Sequence, residues 1–125
     1  MEKRPCVLAI DFDGTIVEEA YPGIGKIKFE ADKYINMLYD EGFIIIINTC
    51  RTGIFEGNAE TFLNHKGIKY HYINNNLPSS IEYFKKDSRK ISADFYIDDK
   101  CLMGLPETWG GIYCLVRRKY YNKNI

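Results

Sequence analysis

The sequence predicts an α/β domain built on a parallel sheet. Short runs are apolar without alternation, as strands covered on both faces require. They are interleaved with stretches of helical periodicity, in the order strand, helix, strand, helix, strand, turn, strand, helix. Glycine and polar clusters separate them at spacings that suit right-handed crossovers between parallel strands.

Cys6–Ile10 is the first expected strand, ending on the acids of "DFDGT". A helix is expected over Phe29–Tyr39, with apolar residues at 31, 34, 35, 38 and 39 and Glu41-Gly42 as its stop. Phe43–Asn48, rich in isoleucine, is the second strand. Asn58–His65, extending back toward Ile54, is a helix closed by Gly67. Lys69–Ile73 is a shorter third strand, and "NNNLPSSIEYFKKDSRK" reads as a loop with a helical turn near Ile81–Lys86. Ala93–Ile97 is the fourth strand, and Thr108–Lys119 the last helix, weakened at its start by Gly110 and Gly111. There is no internal repeat, linker or low-complexity segment, so residues 1–125 are expected to form one domain.

Composition narrows the function. Lys plus Arg and Asp plus Glu number 17 each, so no bulk positive charge argues for nucleic acid or an anionic membrane. The longest aliphatic-aromatic run, Phe43–Ile47, is far too short to cross a bilayer. Met1-Glu2-Lys3-Arg4-Pro5 runs straight into the first strand without an apolar signal segment, so a soluble cytoplasmic protein is expected. The four cysteines, Cys6, Cys50, Cys101 and Cys114, form no C-x-x-C pair and are expected to be free thiols. His65 and His71 are too far apart to share a helical turn as metal ligands and are expected at the surface. Trp109 and the tyrosines are expected in the core and at its rim, and "RRKYYNKN" as a solvated basic tail.

In a parallel sheet, ligands bind beyond the carboxyl ends of the strands. Three apolar runs end there in polar residues: the first in Asp11 and Asp13, the second in Thr49, Cys50 and Arg51, the fourth in Asp98 and Asp99. Strand alternation would point Asp11 and Asp13 to the same side, about 7 Å apart. Carboxylates so gathered either take up protons or recruit a cation. An all-oxygen set without His or Cys favours a hard ion, Mg²⁺ by default where phosphate is the substrate. An ionised aspartate is then a plausible nucleophile toward phosphorus, and a second acid can carry the proton of the leaving oxygen. Thr49 and the backbone after the second strand would supply donors to the phosphoryl group. Arg51 is either an anion-binding residue at the site's edge or a partner in a surface ion pair. Lys90 is the candidate cation, with Lys86, Arg89 and Lys100 as competitors that spacing does not separate.

"DFDGT" after an apolar strand, "IIIINT" closing a second, "SRK" and then "FYIDD" together resemble, in order, the four motifs of the haloacid dehalogenase superfamily of phosphohydrolases. The resemblance spans residues 7 to 99. It implies a three-layer Rossmann-like fold and a Mg²⁺-dependent phosphatase working through an aspartyl-phosphate. Asp11 would be the nucleophile and Asp13 the acid/base. Thr49 would hydrogen-bond the phosphoryl oxygens, and Lys90 would bridge phosphate and nucleophile. Asp98 would bind Mg²⁺ with the Asp11 carboxylate and the Asp13 carbonyl, with Asp99 at or just outside the metal shell. The family's dehalogenase branch lacks an acid at the position of Asp13, so this chain sits with the phosphoryl-transfer branch.

Many members of that superfamily insert a cap domain over the site. Here 35 residues separate Asp13 from Thr49 and 40 separate Thr49 from Lys90, and the expected elements use both intervals. Neither leaves room for a further domain of roughly 50 residues. A capless site admits a bulky phosphorylated substrate, or a second subunit as its lid. "EEAYPGIGKIK" (Glu18–Lys28) would be the flap after the first strand, with Tyr21 or Lys26 touching a leaving group; a plain hairpin with solvated charges is the alternative. It is not a P-loop, because Ala20 stands where that motif needs glycine and Ile27 where it needs Ser or Thr. A receiver-type phosphoacceptor domain would carry an acid after its third strand, and none follows Lys69–Ile73. A catalytically idle relative serving as a binding module is the other alternative.

Overall fold

The structure, a computed structural model, describes residues 4–123. Met1, Glu2 and Lys3, on which the N-terminal expectation partly rests, and Asn124 of the basic tail lie outside the described residues. The elements are β1 (Val7–Ile10), α1 (Ala31–Asp40), β2 (Ile44–Ile47), α2 (Gly53–His65), β3 (Tyr72–Ile73), α3 (Pro78–Phe84), β4 (Phe95–Ile97) and α4 (Trp109–Lys123). The sheet is parallel throughout, in the order β3-β2-β1-β4. Among the described residues, no helix is long and apolar enough to cross a membrane.

Unbroken apolar strands are what this layering needs. Leu8, Ile10, Ile45 and Ile47 point to one face, where Ile35 and Leu38 of α1, Ala59 and Leu63 of α2, and Ile112 and Val116 of α4 meet them. Val7, Ala9 and Ile46 point to the other and pack with Ile91 and, at its margin, Leu77. Each large aliphatic side chain removed from water in this way contributes roughly 1.5–3 kcal/mol. The second face is the thinner one, because α3 buries none of its own residues.

Chain order and strand order together locate the functional pole. From β1 the chain steps to β2 and then β3 in one direction, and then returns past β1 to β4. The order therefore reverses beside β1, and a crevice opens there beyond the carboxyl ends of β1 and β4.

Several boundaries differ from expectation. Among them, α3 spans Pro78–Phe84 where a turn near Ile81–Lys86 is expected, and β4 starts at Phe95 and not Ala93. For α1 and β3 the local reason is visible. Helix α1 starts at Ala31 because Glu30 has φ 59°, a left-handed conformation that cannot continue back to Phe29. Strand β3 has two residues because the imidazole of His71 does the work of a main-chain acceptor: its Nδ1 accepts the Ile45 N–H at 3.0 Å, while the main-chain N–H of His71 donates to the Ile45 carbonyl at 2.8 Å. His71 is thus half-buried and stacked on Tyr39, not a surface residue, and burial lowers its pKa. Finally, Gly110 does not delay α4. A side chain there would press on Tyr34, at 3.3 Å from its hydroxyl, so glycine lets the first turn of α4 approach α1.

Candidate active site

β1 delivers Asp11 to the switch point, where its N–H donates to the Ile97 carbonyl at 2.9 Å and ties the end of β1 to β4. The next residue, Phe12, is fully buried, and its carbonyl accepts the N–H groups of Thr15, Ile16 and Val17 in a tight turn. Gly14 makes that turn with φ 88°, and a Cβ there would collide with the Asp99 carboxylate. The turn separates the two acids of "DFD", so the strand-alternation spacing does not apply. Asp11 faces β4, and Asp13 faces the start of α2.

Oxygens of Asp11, Asp98 and Asp99 lie within 4.8 Å of one another. Thr15 organises this cluster. Its hydroxyl accepts the Asp99 N–H at 3.0 Å and lies 3.1 Å from Asp11 Oδ2 and 3.3 Å from Asp99 Oδ1, to either of which it can donate. The Thr15 carbonyl in turn accepts the indole N–H of buried Trp109. Asp98 is held by accepting the Lys100 N–H at 2.9 Å. Burial, then the Asp98 charge, then the link to Asp99 push the Asp11 carboxyl up to about 7, against the lowering effect of Thr15. Three oxygen donors with this surplus of negative charge fit a hard divalent cation.

Asp13 stays out of the cluster. Its Oδ2 accepts Arg51 Nε–H and its Oδ1 accepts Arg51 Nη2–H, both at 2.7 Å. Arg51 itself is 1% exposed. Its remaining N–H groups go to the carbonyls of Phe55, Pro22 and Gly23, so all five donors are engaged. Of the two expectations for Arg51 the structure shows the ion pair, buried and not at the surface: Arg51 lines the cavity, but its five donors are all engaged. With the Asp13 carboxylate paired to Arg51, the group of Asp13 that the resemblance offers to a metal is its main-chain carbonyl.

Thr49 and Cys50 line a cavity of about 400 Å³ together with Asp11, Asp13, Asp98 and Lys100. Thr49 Oγ1 accepts the Arg51 N–H at 3.1 Å, leaving its own proton free to donate. Thr49 does not cap α2, whose preceding residue is Thr52. The loop is pinned by Asn74, which accepts the Thr49 N–H at 2.8 Å and donates to Glu56 at 3.0 Å. Asn74 and Thr15 escaped the sequence reading. Asn74 lies in an asparagine run that signals only a loop, and Thr15 stands within "DFDGT" with no contact assigned from the sequence; in the structure Asn74 adopts φ 55°, a left-handed conformation that asparagine tolerates.

Among the four candidate cations, the cavity is lined by Lys100. Lys90 instead lies over the ring of Tyr96, 5.3 Å from its centroid, and is not among the lining residues; Lys86 and Arg89 are exposed and likewise absent from the lining. The physical reason is the Tyr96 hydroxyl, which donates to the Ile91 carbonyl and accepts the Ala93 N–H, folding the 90–93 segment back along β4. The flap after Asp13 contributes Glu19 and Tyr21 to the cavity. Cys6 is buried, and Cys50, Cys101 and Cys114 are exposed thiols.

No protein-family model matches this chain, and no curated protein does. Among solved structures, the fold is similar to that of a conserved protein of Bacteroides thetaiotaomicron, with a TM-score of 0.83 and 34% identity over 93% of each chain.

Proposed function

The chain belongs to the family of that conserved Bacteroides protein, and we propose that it is a Mg²⁺-dependent phosphatase of the haloacid dehalogenase type, acting on a phosphate monoester. One observation carries the reading. Oxygens of Asp11, Asp98 and Asp99 converge at the switch point, where Asp11 and Asp98 line a cavity together with Thr49 and Lys100. Asp11, Asp98 and Asp99, with the main-chain carbonyl of Asp13, would hold the cation. When bound, the cation supplies the positive charge that lets the ionised Asp11 meet an anionic phosphoryl group.

The protein's own groups then divide the work. Asp11 attacks phosphorus, the bond from phosphorus to the ester oxygen breaks, and Asp13 gives that oxygen its proton. Water opens the aspartyl-phosphate, passing one proton to Asp13, so phosphate leaves and both acids are restored. Asp13 carries its proton by opening one of its two bonds to Arg51. Thr49 and the loop N–H groups donate to the phosphoryl oxygens, and Lys100 supplies the cationic side chain. A reducing cytoplasmic setting accords with the exposed thiols of Cys50, Cys101 and Cys114.

A binding module without turnover is the second reading, favoured by the two hydrogen bonds through which Arg51 engages both Asp13 oxygens. Hydrolysis of a generic aryl phosphate with and without Mg²⁺ separates the two. Metal-dependent turnover that Asp11→Asn abolishes supports the phosphatase; wild-type turnover no greater than that variant's supports the binding module.

A further inference from the structure

The cavity has a second end. Tyr21, on the flap, lines it beside Asp13 and Thr49 and is 52% exposed. The ring is nevertheless held. The Arg51 guanidinium carbon lies 5.1 Å from its centroid, and the Phe55 ring packs at 5.6 Å with a tilt of 56°. The two residues after Tyr21, Pro22 and Gly23, are anchored through their carbonyls to the same guanidinium, at 3.3 and 2.6 Å. The Tyr21 N–H donates to Glu19 at 3.2 Å.

An exposed aromatic on a loop is ordinary; this one is fixed from its own backbone, from the residues after it and from beneath. Arg51 is buried against Phe12 as well, 5.3 Å from that ring's centroid, so the clamp is rooted in the core. A ring ordered before a ligand arrives loses little freedom on binding, which is the condition for a stacking surface to contribute affinity. The volume of about 400 Å³ is within the range of small-molecule sites and exceeds what a phosphoryl group alone occupies. The Glu19 carboxylate at the same end disfavours a leaving group that brings another negative charge.

Resting on the phosphatase reading, the geometry points to Tyr21 as the leaving-group subsite, and we propose that the substrate is a phosphate monoester whose leaving group carries a flat, unsaturated ring. The subsite acts by stacking, so it selects for a π face and not for apolar bulk.

Benzyl phosphate and cyclohexylmethyl phosphate test this, because they share an alkoxide leaving group of similar size and differ in ring flatness. The expected kcat/KM favours the benzyl ester by about five- to tenfold. Tyr21→Phe keeps that ratio, and Tyr21→Leu, which preserves apolar bulk, brings it close to one. Equal rates on both esters in the wild type, or a preference that survives in Tyr21→Leu, overturn the proposal. Turnover of neither ester would defeat the phosphatase reading and leave the subsite to be decided by binding. Calorimetry with benzylphosphonate and cyclohexylmethylphosphonate, in the presence of Mg²⁺, is then expected to give the same ratio in Kd. Equal affinities overturn the proposal there too.

Discussion

Replacing Arg51 with lysine keeps the charge and removes the fork. In the wild type the guanidinium makes five hydrogen bonds, two to Asp13 at 2.7 Å and three to main-chain carbonyls at 2.6 to 3.4 Å, from a side chain that is 1% exposed. An ammonium has three donors at a single point. It can follow Asp13 or the flap carbonyls but cannot span both, so at least two acceptors lose their partners. Asp13 is half-buried and the three carbonyls belong to exposed residues, so each charge-assisted bond lost costs about 1–2 kcal/mol, and Arg51→Lys is expected to lose about 2–4 kcal/mol in total. Arg51→Ala, which strands Asp13 entirely, is expected to lose about 3–5 kcal/mol. Both are large against a total stability of roughly 5–15 kcal/mol. Urea unfolding followed by fluorescence measures the loss directly, since the chain has one tryptophan and it is 3% exposed. With a urea m-value of about 1–3 kcal/mol per molar, the lysine variant's midpoint should fall by about 1–2 M. A midpoint within about 0.3 M of wild type would refute the clamp, because that is the behaviour of a solvated surface pair worth at most about 1 kcal/mol.

Two further outcomes follow from the site. Asp11 is pushed up from 3.8 to about 7, so the folded state holds this proton more tightly than the unfolded chain does. Its contribution to stability is full below the unfolded value, declines as pH rises through the window between the two, and is gone above the folded value. Without metal, thermal unfolding should therefore show Tm falling between about pH 4 and 7 in a component that Asp11→Asn removes. Added Mg²⁺ should raise Tm more at pH 8 than at pH 5.5, and an equal rise at both would count against Asp11 as a ligand. The second outcome concerns the cation: Lys100→Ala is expected to lower kcat/KM by about 100-fold, while Lys90→Ala, removing an ammonium that lies over Tyr96, should change it less than about twofold. The reverse pattern in steady-state kinetics would return the role to Lys90.

Much of this protein was legible before any coordinates. Helical periodicity at 31, 34, 35, 38 and 39 marked the buried face of α1, and the apolar runs marked the strands, because burial on two faces leaves no room for polar alternation. The topology rule then carried Asp11, Thr49 and Asp98 to one pole, since side chains at the ends of adjacent parallel strands must be neighbours. Element boundaries were less legible. His71 shortens β3 by substituting a ring nitrogen for a carbonyl, and the backbone of Glu30 trims α1; neither follows from periodicity.

What sequence order settled was the α/β class, the parallel layering and the strand ends at which Asp11, Thr49 and Asp98 gather. Those depend on which residues are apolar and on the strands they terminate. Only the tertiary structure decided how those residues are paired. Arg51 and Asp13 are 38 positions apart, Thr15 and Asp99 are 84 apart, and Trp109 reaches back 94 positions to Thr15. Such contacts have no local signal, because a hydrogen bond depends on where the fold brings donor and acceptor and not on their spacing along the chain. For that reason the sequence left Arg51 open between anion binding and an ion pair, and left Lys90 as the leading one of four candidate cations. The folded chain spends the first on Asp13 and the flap, lays the second over Tyr96, and brings Lys100 to the cavity instead.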